Sequence, residues 1–408
     1  MNRASTLEAL IKAVIMMGGL ATGAAYLVLL ERKMAAWVQD RIGPNRVGIP
    51  LTKIRLFGLG QPLADGLKIV LKEDFTPSHV DRRLFTLAPI VILVAAFAAF
   101  AVIPFGSVLP TNFGVDGIEE PIRLVVAPGM NVAVLYVFAL SGIAVYGVIL
   151  GGWASNSKYS FLGGLRSSAQ LIAYELPMGL GLLGVVAASG SLDLEVIMTR
   201  QATDGWYVLL QPLGFIVFVV AAFAEAARLP FDLPECEQEL VGGYHTEYSG
   251  VRLLLFLLTE FLHLITAAML IVILFLGGWH LPFGLTGHSD TVGWVGAVVR
   301  VLVLVGKVLL VVVVFMLVRW SWPRFRYDQL MALAWKIMLP LGLVNFVVVA
   351  VLDQLRVVWG WEGMKGTLLV GALSWISCVA VLVVLAMMSP SMADNRVSRF
   401  VETGEDLL

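Results

Sequence analysis

Nine apolar runs divide this sequence, each near the length that a helix needs to cross a lipid bilayer. Such a helix takes about 20 predominantly apolar residues. The runs lie at roughly 7–30, 85–103, 131–152, 170–190, 207–224, 253–277, 294–318, 333–352 and 366–388. They predict an all-α polytopic membrane protein with about nine transmembrane helices. Composition bears on one point: only 14% of the 408 residues are charged and 59% are hydrophobic. A soluble domain carries about 25% charged residues. The first run does not read as a cleavable signal. It is too long, contains Lys12, and continues into Glu31-Arg32-Lys33 with no small-residue cleavage site before it.

Charge in the connecting loops sets an orientation. The first loop carries ten basic residues, from Arg32 and Lys33 to Arg82 and Arg83. The third has Lys158 and Arg166, the fifth Arg228 and Arg252, and the seventh Arg319, Arg324, Arg326 and Lys336. Even-numbered loops are nearly bare. The positive-inside rule therefore places the odd loops in the cytoplasm and the N-terminus outside. Nine spans also put the tail with Arg396 and Arg399 inside.

Several classes of function are excluded. A net charge of -1 gives no footprint for nucleic acid. Cys236 and Cys378 are the only cysteines, too few for a disulfide framework or a thiolate-bound iron–sulfur cluster. The five histidines show no metal or haem spacing. The expectation is a chain that binds no redox centre and no metal, so that any electrons come from a partner.

The chemistry-bearing residues gather in the odd loops. In the first, Leu63, Leu67, Val70 and Leu71 fall at helical spacing among Asp65, Lys68 and Lys72, with Pro62 at the start and Pro77 beyond the end. This predicts an amphipathic helix in the membrane interface, too short and charged to span. It reads either as a surface anchor or as one wall of an opening for a lipophilic ligand. The third loop is rich in Gly, Ser and Ala, which lets backbones approach closely. The fifth holds Glu225, Asp232, Glu235, Glu237, Glu239 and Glu247, against Arg228 and His245. Glu235 and Glu239 share a face if the segment is helical. Carboxylates this close, partly desolvated, titrate as a coupled set. Leu229, Pro230, Phe231, Leu233 and Pro234 among them point to a packed loop. In the seventh, Arg324 and Arg326 flank Phe325, as an aromatic–basic anchor or a dock for an acidic soluble partner.

Further ionisable groups sit at membrane depth: Glu175 in the fourth span, Glu260 and His263 in the sixth, Lys307 in the seventh. Each is costly in lipid, roughly 2.5–3.5 kcal/mol on insertion scales for the charged types, and marks a functional or paired site. Together with Glu225 they predict a polar path through the bundle. For Lys307 the alternative is a carboxylate partner that fixes helix packing.

The segments LERK…RIGPNRVG, QPLADGLKIVLKED, GGWASNSKYSFLGGLRSSAQLIAYELP, PFDLPE-x-EQEL-x-GGYHTEYSG and WPRFRYDQLM, in this order over residues 30–345, resemble the H-subunit family of proton-translocating NADH:quinone oxidoreductase, respiratory complex I. The resemblance implies a membrane subunit of a bacterial inner-membrane enzyme at the junction with a hydrophilic arm. Its partners would be the hydrophilic quinone-module subunits, the small and large membrane subunits and membrane lipids. Quinone would be the substrate, with iron–sulfur clusters, FMN and NADH held by partner subunits and no cofactor in this chain. It implies a quinone-chamber role for Glu31, Arg32, Asp65 and Lys68. It implies proton-channel roles for Glu175, Glu225, Arg228, Asp232, Glu235, Glu237, Glu239, Glu247 and Glu260. The chain departs from the family at Ala227, often a polar residue there, and at Pro128–Asn131, where an acid is common.

Residues 1–352 are expected to form the family core, with 353–408 adding a ninth helix and a cytoplasmic tail. Two rival functions share the composition. One is the membrane anchor of a related hydrogenase or formate-hydrogenlyase complex. The other is a stand-alone proton-coupled transporter.

Overall fold

The computed structural model describes residues 3–48, 57–109, 122–233, 241–281, 293–360 and 363–388. Within them the chain is helical, with an isolated bridge between Val108 and Arg123. Eight helices are long and apolar enough to cross a membrane. A ninth, Pro212–Glu225, is apolar but shorter. The elements run α1 (Arg3–Val38), α2 (Gln61–Val70), α3 (Arg82–Ala99), α4 (Ala133–Ala154), α5 (Lys158–Ser189), α6 (Leu194–Asp204), α7 (Tyr207–Leu210), α8 (Pro212–Glu225), α9 (Gly250–Phe275), α10 (Trp294–Ser321), α11 (Tyr327–Val358) and α12 (Gly363–Met388). The chain is thus a multi-pass, all-α membrane protein.

Local chemistry sets the helix ends. Asp81 caps α3 by accepting from the backbone N–H groups of Arg83 (3.0 Å) and Leu84 (3.3 Å). Asp193 does the same for α6 through Glu195 N–H at 2.9 Å. Gly190 stops α5 in the left-handed region, φ +68°, where its N–H still reaches Val186 O at 2.8 Å. Pro62 sits in the first turn of α2, where a missing N–H costs nothing.

α9 lies at the centre. In its most apolar stretch 78% of residues are buried, against 22% in α1 and 17% in α12. The apolar C-terminal half of α9, residues 264–275, is buried throughout. α3, α10 and α1 pack against it, and α1 and α12 leave most of their apolar faces uncovered.

Three helices extend well past the apolar runs. α1 continues to Val38, α5 begins at Lys158 and α11 begins at Tyr327. All three extensions lie at the same end of the bundle, that of the odd loops. The segment 153–169 is therefore mostly helix and not an open loop. Its small residues allow a tight α4–α5 crossing. A Cβ added at Gly152 would lie 2.7 Å from Ser160 O and 3.2 Å from Gly164 Cα. At Gly163 it would meet the Gly243 carbonyl carbon and Tyr244 N, both at 2.7 Å.

Backbone atoms in these contacts cannot swing aside. Gly152→Ala is expected to separate α4 from α5 and lower the thermal unfolding temperature of the purified protein. Gly179→Ala, which meets no neighbour within 4 Å, should leave it within about 0.5 kcal/mol of wild type. Melts of the two variants side by side check this.

Candidate functional site

The charged residues converge at the odd-loop end. Arg228 leaves α8 one turn after Glu225 and is 4% exposed. Its Nη1 lies 3.0 Å from Glu31 Oε2 on α1, and its Nε lies 2.9 Å from Glu260 Oε1 on α9. The guanidinium carbon stands 4.3 Å from the centre of the Phe261 ring. Glu31 is also held by Arg319 near the end of α10. Two carboxylates and two arginines thus join α1, α9, α10 and the turn after α8. An arginine fork suits this task because its fixed planar donors can serve two acids at once.

A cavity of about 910 Å³ opens beside this cluster. Glu31, Arg32, Arg228, Glu260 and Arg319 form its charged wall, and Ile42, Leu257 and Phe261 are among its apolar residues. Arg32 turns toward α2, where its Nη1 bonds Asp65 Oδ2 at 2.6 Å. Gln61 Nε2 donates to the other oxygen of Asp65 at 3.0 Å. The amphipathic α2 exists as the spacing requires. Its apolar residues Leu63, Leu67 and Val70 are exposed, and none of its residues lines the cavity. Lys68 lies on the exposed surface of α2.

Glu260 also borders a second, smaller space of about 60 Å³, shared with Glu175, Glu225, His263 and Tyr244. A third, of about 20 Å³, touches Glu225, His263, Ser141 and Thr266. One water needs about 10–15 Å³ of such space, so both have room for water. Glu225 lies beside Glu175 and within hydrogen-bonding reach of Ser141. A Cβ at Gly142 would stand 3.8 Å from Glu175 Oε1, so α4 meets this acid at a glycine. Among the described residues neither Glu175 nor Glu225 forms an ion pair. The sequence therefore brings Glu31, Glu260, Glu225 and Glu175 along one row of adjoining cavities.

The fifth and seventh loops are pinned together. Arg324 Nη2 lies 3.2 Å from Asp232 Oδ2. Phe231 stacks on Phe325 with ring centres 5.4 Å apart, and Phe325 N–H donates to Pro230 O at 3.2 Å. Gln170 on α5 donates to both Ala224 O and Phe231 O at 2.8 Å. Arg324 thus turns inward. Arg326 stays exposed beside Asp328, 3.3 Å away. Glu247 is half-buried and lines none of the three cavities. Glu235, Glu237 and Glu239 lie outside the described residues, as does Cys236.

Two expectations need correction. His245 does not offset the acids at neutral pH, because burial lowers its pKa to about 4 and keeps the ring uncharged. Among the described residues Lys307 neither lines the row of cavities nor meets a carboxylate. Its ammonium donates to the carbonyls of Leu276, Gly278 and His280 at 2.6, 2.9 and 2.7 Å, with the Trp206 ring 4.5 Å away. Those carbonyls follow the C-terminus of α9, where orphan acceptors and the helix dipole attract a cation. Three acceptors match the three protons of an ammonium.

The family model described as NADH dehydrogenase matches residues 11–350. The chain belongs to the NADH dehydrogenase family. A Geobacter metallireducens protein, named as the first of two H subunits of NADH-quinone oxidoreductase, is 48% identical over 336 residues, 82% of this chain and 93% of that protein. A Rhizobium meliloti protein named as a second such H subunit is 47% identical over 322 residues, covering 79% and 90%. A Cytophaga hutchinsonii protein named as a first H subunit is 44% identical over 329 residues, covering 80% and 90%. As a member of this family the chain is a membrane subunit of an oxidoreductase. Among the described residues no group of His, Cys, Asp and Glu is placed to hold a metal ion. The Arg228 cluster and all three cavities fall within the matched region, whereas α12 lies beyond it.

Sequence reading paired no cation with Glu31 or Glu260. Arg228 lies 197 residues from Glu31, and no local pattern signals a contact of that range. The hint was a lone basic residue in a packed acidic loop.

Removing one member of a buried ion pair costs about 3–5 kcal/mol, because the other charge stays buried. Arg228→Met should destabilise the protein on that scale. Adding Glu260→Gln to the same chain should recover part of the loss, which thermal melts of the single and double variants check. Burial pushes the Asp232 carboxyl from 3.8 up to about 6, against the pull of Arg324. The native state then holds this proton more tightly than the unfolded chain, so the group lowers stability as pH rises from 3.8 to about 6. His245 acts oppositely: its unfolded form takes a proton first, and stability is lost as pH falls from 6.5 to about 4. Melts across this range should lose the first slope in Asp232→Asn and the second in His245→Asn.

Proposed function

We propose that this chain is the H subunit of a bacterial proton-translocating NADH:quinone oxidoreductase, where it walls the quinone chamber and begins the proton path. The observation that carries this is the row of adjoining cavities. It starts at the large space beside Glu31, Arg32 and Arg228 and continues past Glu260 to Glu225 and Glu175. The names of its relatives supply the reaction class.

The large cavity accepts a lipid-soluble quinone headgroup from the interface, near α2. Electrons arrive from iron–sulfur clusters held by hydrophilic partner subunits, which also bind FMN and NADH. Reduction of the quinone adds negative charge that calls for protons. That charge acts on Glu260 through the shared wall and loosens its hold on Arg228. Glu225 and Glu175 sit next in line with no basic partner among the described residues, so their protonation responds to changes at Glu260. Glu235, Glu237, Glu239 and Glu247 extend the same acidic field in the fifth loop. Proton movement then passes to neighbouring membrane subunits.

The odd loops face the cytoplasm and the N-terminus lies outside, as their basic residues favour. Arg326 and the exposed face around it meet the hydrophilic subunits. Residues 1–352 form the family core and 353–408 an addition, a division supported by the end of the family match at residue 350.

Glu225→Gln keeps the size of the side chain and removes its proton chemistry. In the assembled enzyme it should lower NADH:quinone turnover at least about tenfold, as loss of a proton-transferring group does. Proton uptake by inverted membrane vesicles should fall in step, while the amount of assembled complex on a native gel stays unchanged. Full turnover in Glu225→Gln complex of normal abundance would remove Glu225 from the path.

A further inference from the structure

A second polar site lies at the opposite end of the bundle, partly outside the family region. There a space of about 40 Å³ is enclosed by α5, α7, α11 and α12. Its half-buried mouth is lined by Asp204, Asp353 and Arg356. Deeper inside are Tyr207, Gln211 and Ser374, which are 1%, 4% and 5% exposed. Among the described residues the Tyr207 hydroxyl, Gln211 Oε1 and the Ser374 hydroxyl find no hydrogen-bond partner. A buried polar atom without a partner costs about 1–3 kcal/mol. Three orphans around one space indicate that something polar fills it.

A fourth orphan lies just beyond. Asn345 Nδ2 on α11 is buried and has no hydrogen-bond partner among the described residues. It lies 2.8 Å from the point where a Gly184 Cβ would stand, and Gln211 Oε1 lies 2.8 Å from the same point. Donor and acceptor are therefore separated by no more than twice that distance. One water accepting from Asn345 and donating to Gln211 spans such a gap with two ordinary hydrogen bonds. Gly184, with no side chain of its own, lets both groups pack close against its Cα.

We infer that this pocket is a binding site for a cluster of ordered waters that bridge Tyr207, Gln211, Ser374 and Asn345, and that α12 is the wall that closes it against lipid. The volume holds about three waters. The mixed donor and acceptor set suits water, which both donates and accepts. α12 is fitted to this task. Val370, Ser374 and Cys378 share one of its faces and point inward. Trp375 Nε1 donates to Leu209 O at 3.0 Å, which docks the helix on α7. Residues beyond position 353 thus complete a site whose inner half belongs to the core.

Two measurements on the intact membrane assembly test this. In a high-resolution cryo-electron microscopy map, separate water peaks are expected beside Tyr207 Oη and Ser374 Oγ and between Asn345 Nδ2 and Gln211 Oε1. Continuous acyl-chain density, a single ion peak, or direct pairing of these side chains would overturn the proposal. X-ray hydroxyl-radical footprinting reads side chains that touch bound water. Tyr207 should be oxidised severalfold faster than Tyr174, which is equally buried but bonds Leu330 O at 2.9 Å. Equal rates would overturn the proposal as well.

Discussion

The structure depends on one nearly anhydrous guanidinium. Arg228 bridges Glu31 and Glu260, and Arg319 meets Glu31 from the far side. None of these groups would be tolerated alone at this depth, since an isolated ion in a low-dielectric interior costs several kcal/mol even after relaxation. Together they nearly cancel. Their geometry then dictates where α1, α9 and α10 lie around the turn after α8. The same arrangement leaves open the largest charged cavity, because helices held apart by long polar side chains cannot close as tightly as those joined through glycine. The contrast is visible within the chain: α4 and α5 touch backbone to backbone through Gly152 and Gly164, while α1 and α9 stand on either side of an arginine.

Pairing also divides the acids into two kinds. Glu31, Glu260 and Asp232 are matched by Arg228, Arg319 and Arg324. Glu175 and Glu225 face each other and the small residues of α4. A matched acid fixes structure and changes its charge only when its partner is disturbed. An unmatched acid in a confined space is sensitive to any nearby charge, because little water is present to screen it. Placing both kinds along one row of cavities gives a disturbance at the large cavity a physical route to the unmatched pair.

Much of the fold was legible because lipid imposes a simple rule on composition. The apolar runs located every long helix. They misjudged lengths at one end, since hydropathy reports the thickness of the hydrocarbon and not where the helix stops. Lys158–Ala169 and Arg32–Val38 are helical outside that layer, and their polar residues hid it. The amphipathic α2 was readable from the spacing of Leu63, Leu67 and Val70. The acids were identified by their expense at depth, yet their partners were not, because ion pairs between distant segments leave no periodic trace. Lys307 was misread for a related reason. A lysine within a span signals a buried acceptor, but the acceptors are backbone carbonyls after α9, and a carbonyl cluster has no sequence signature. His245 was read by its type, whereas burial decided its charge.

The two polar regions stay separate, and the same helices enforce the separation. α5 carries Glu175 toward one end and Gly184 toward the other, nine residues or about 13 Å apart at 1.5 Å per residue. α8 carries Glu225 and Gly214 in the same order. Between them lie Met178, Leu182, Phe218 and Leu270, all buried. Phe218 and Phe215 each pack against Phe275 with ring centres 5.4 Å apart. Met178, Phe218 and Leu270 also line the small cavity beside Glu225, so this apolar layer lies between that cavity and the site around Tyr207.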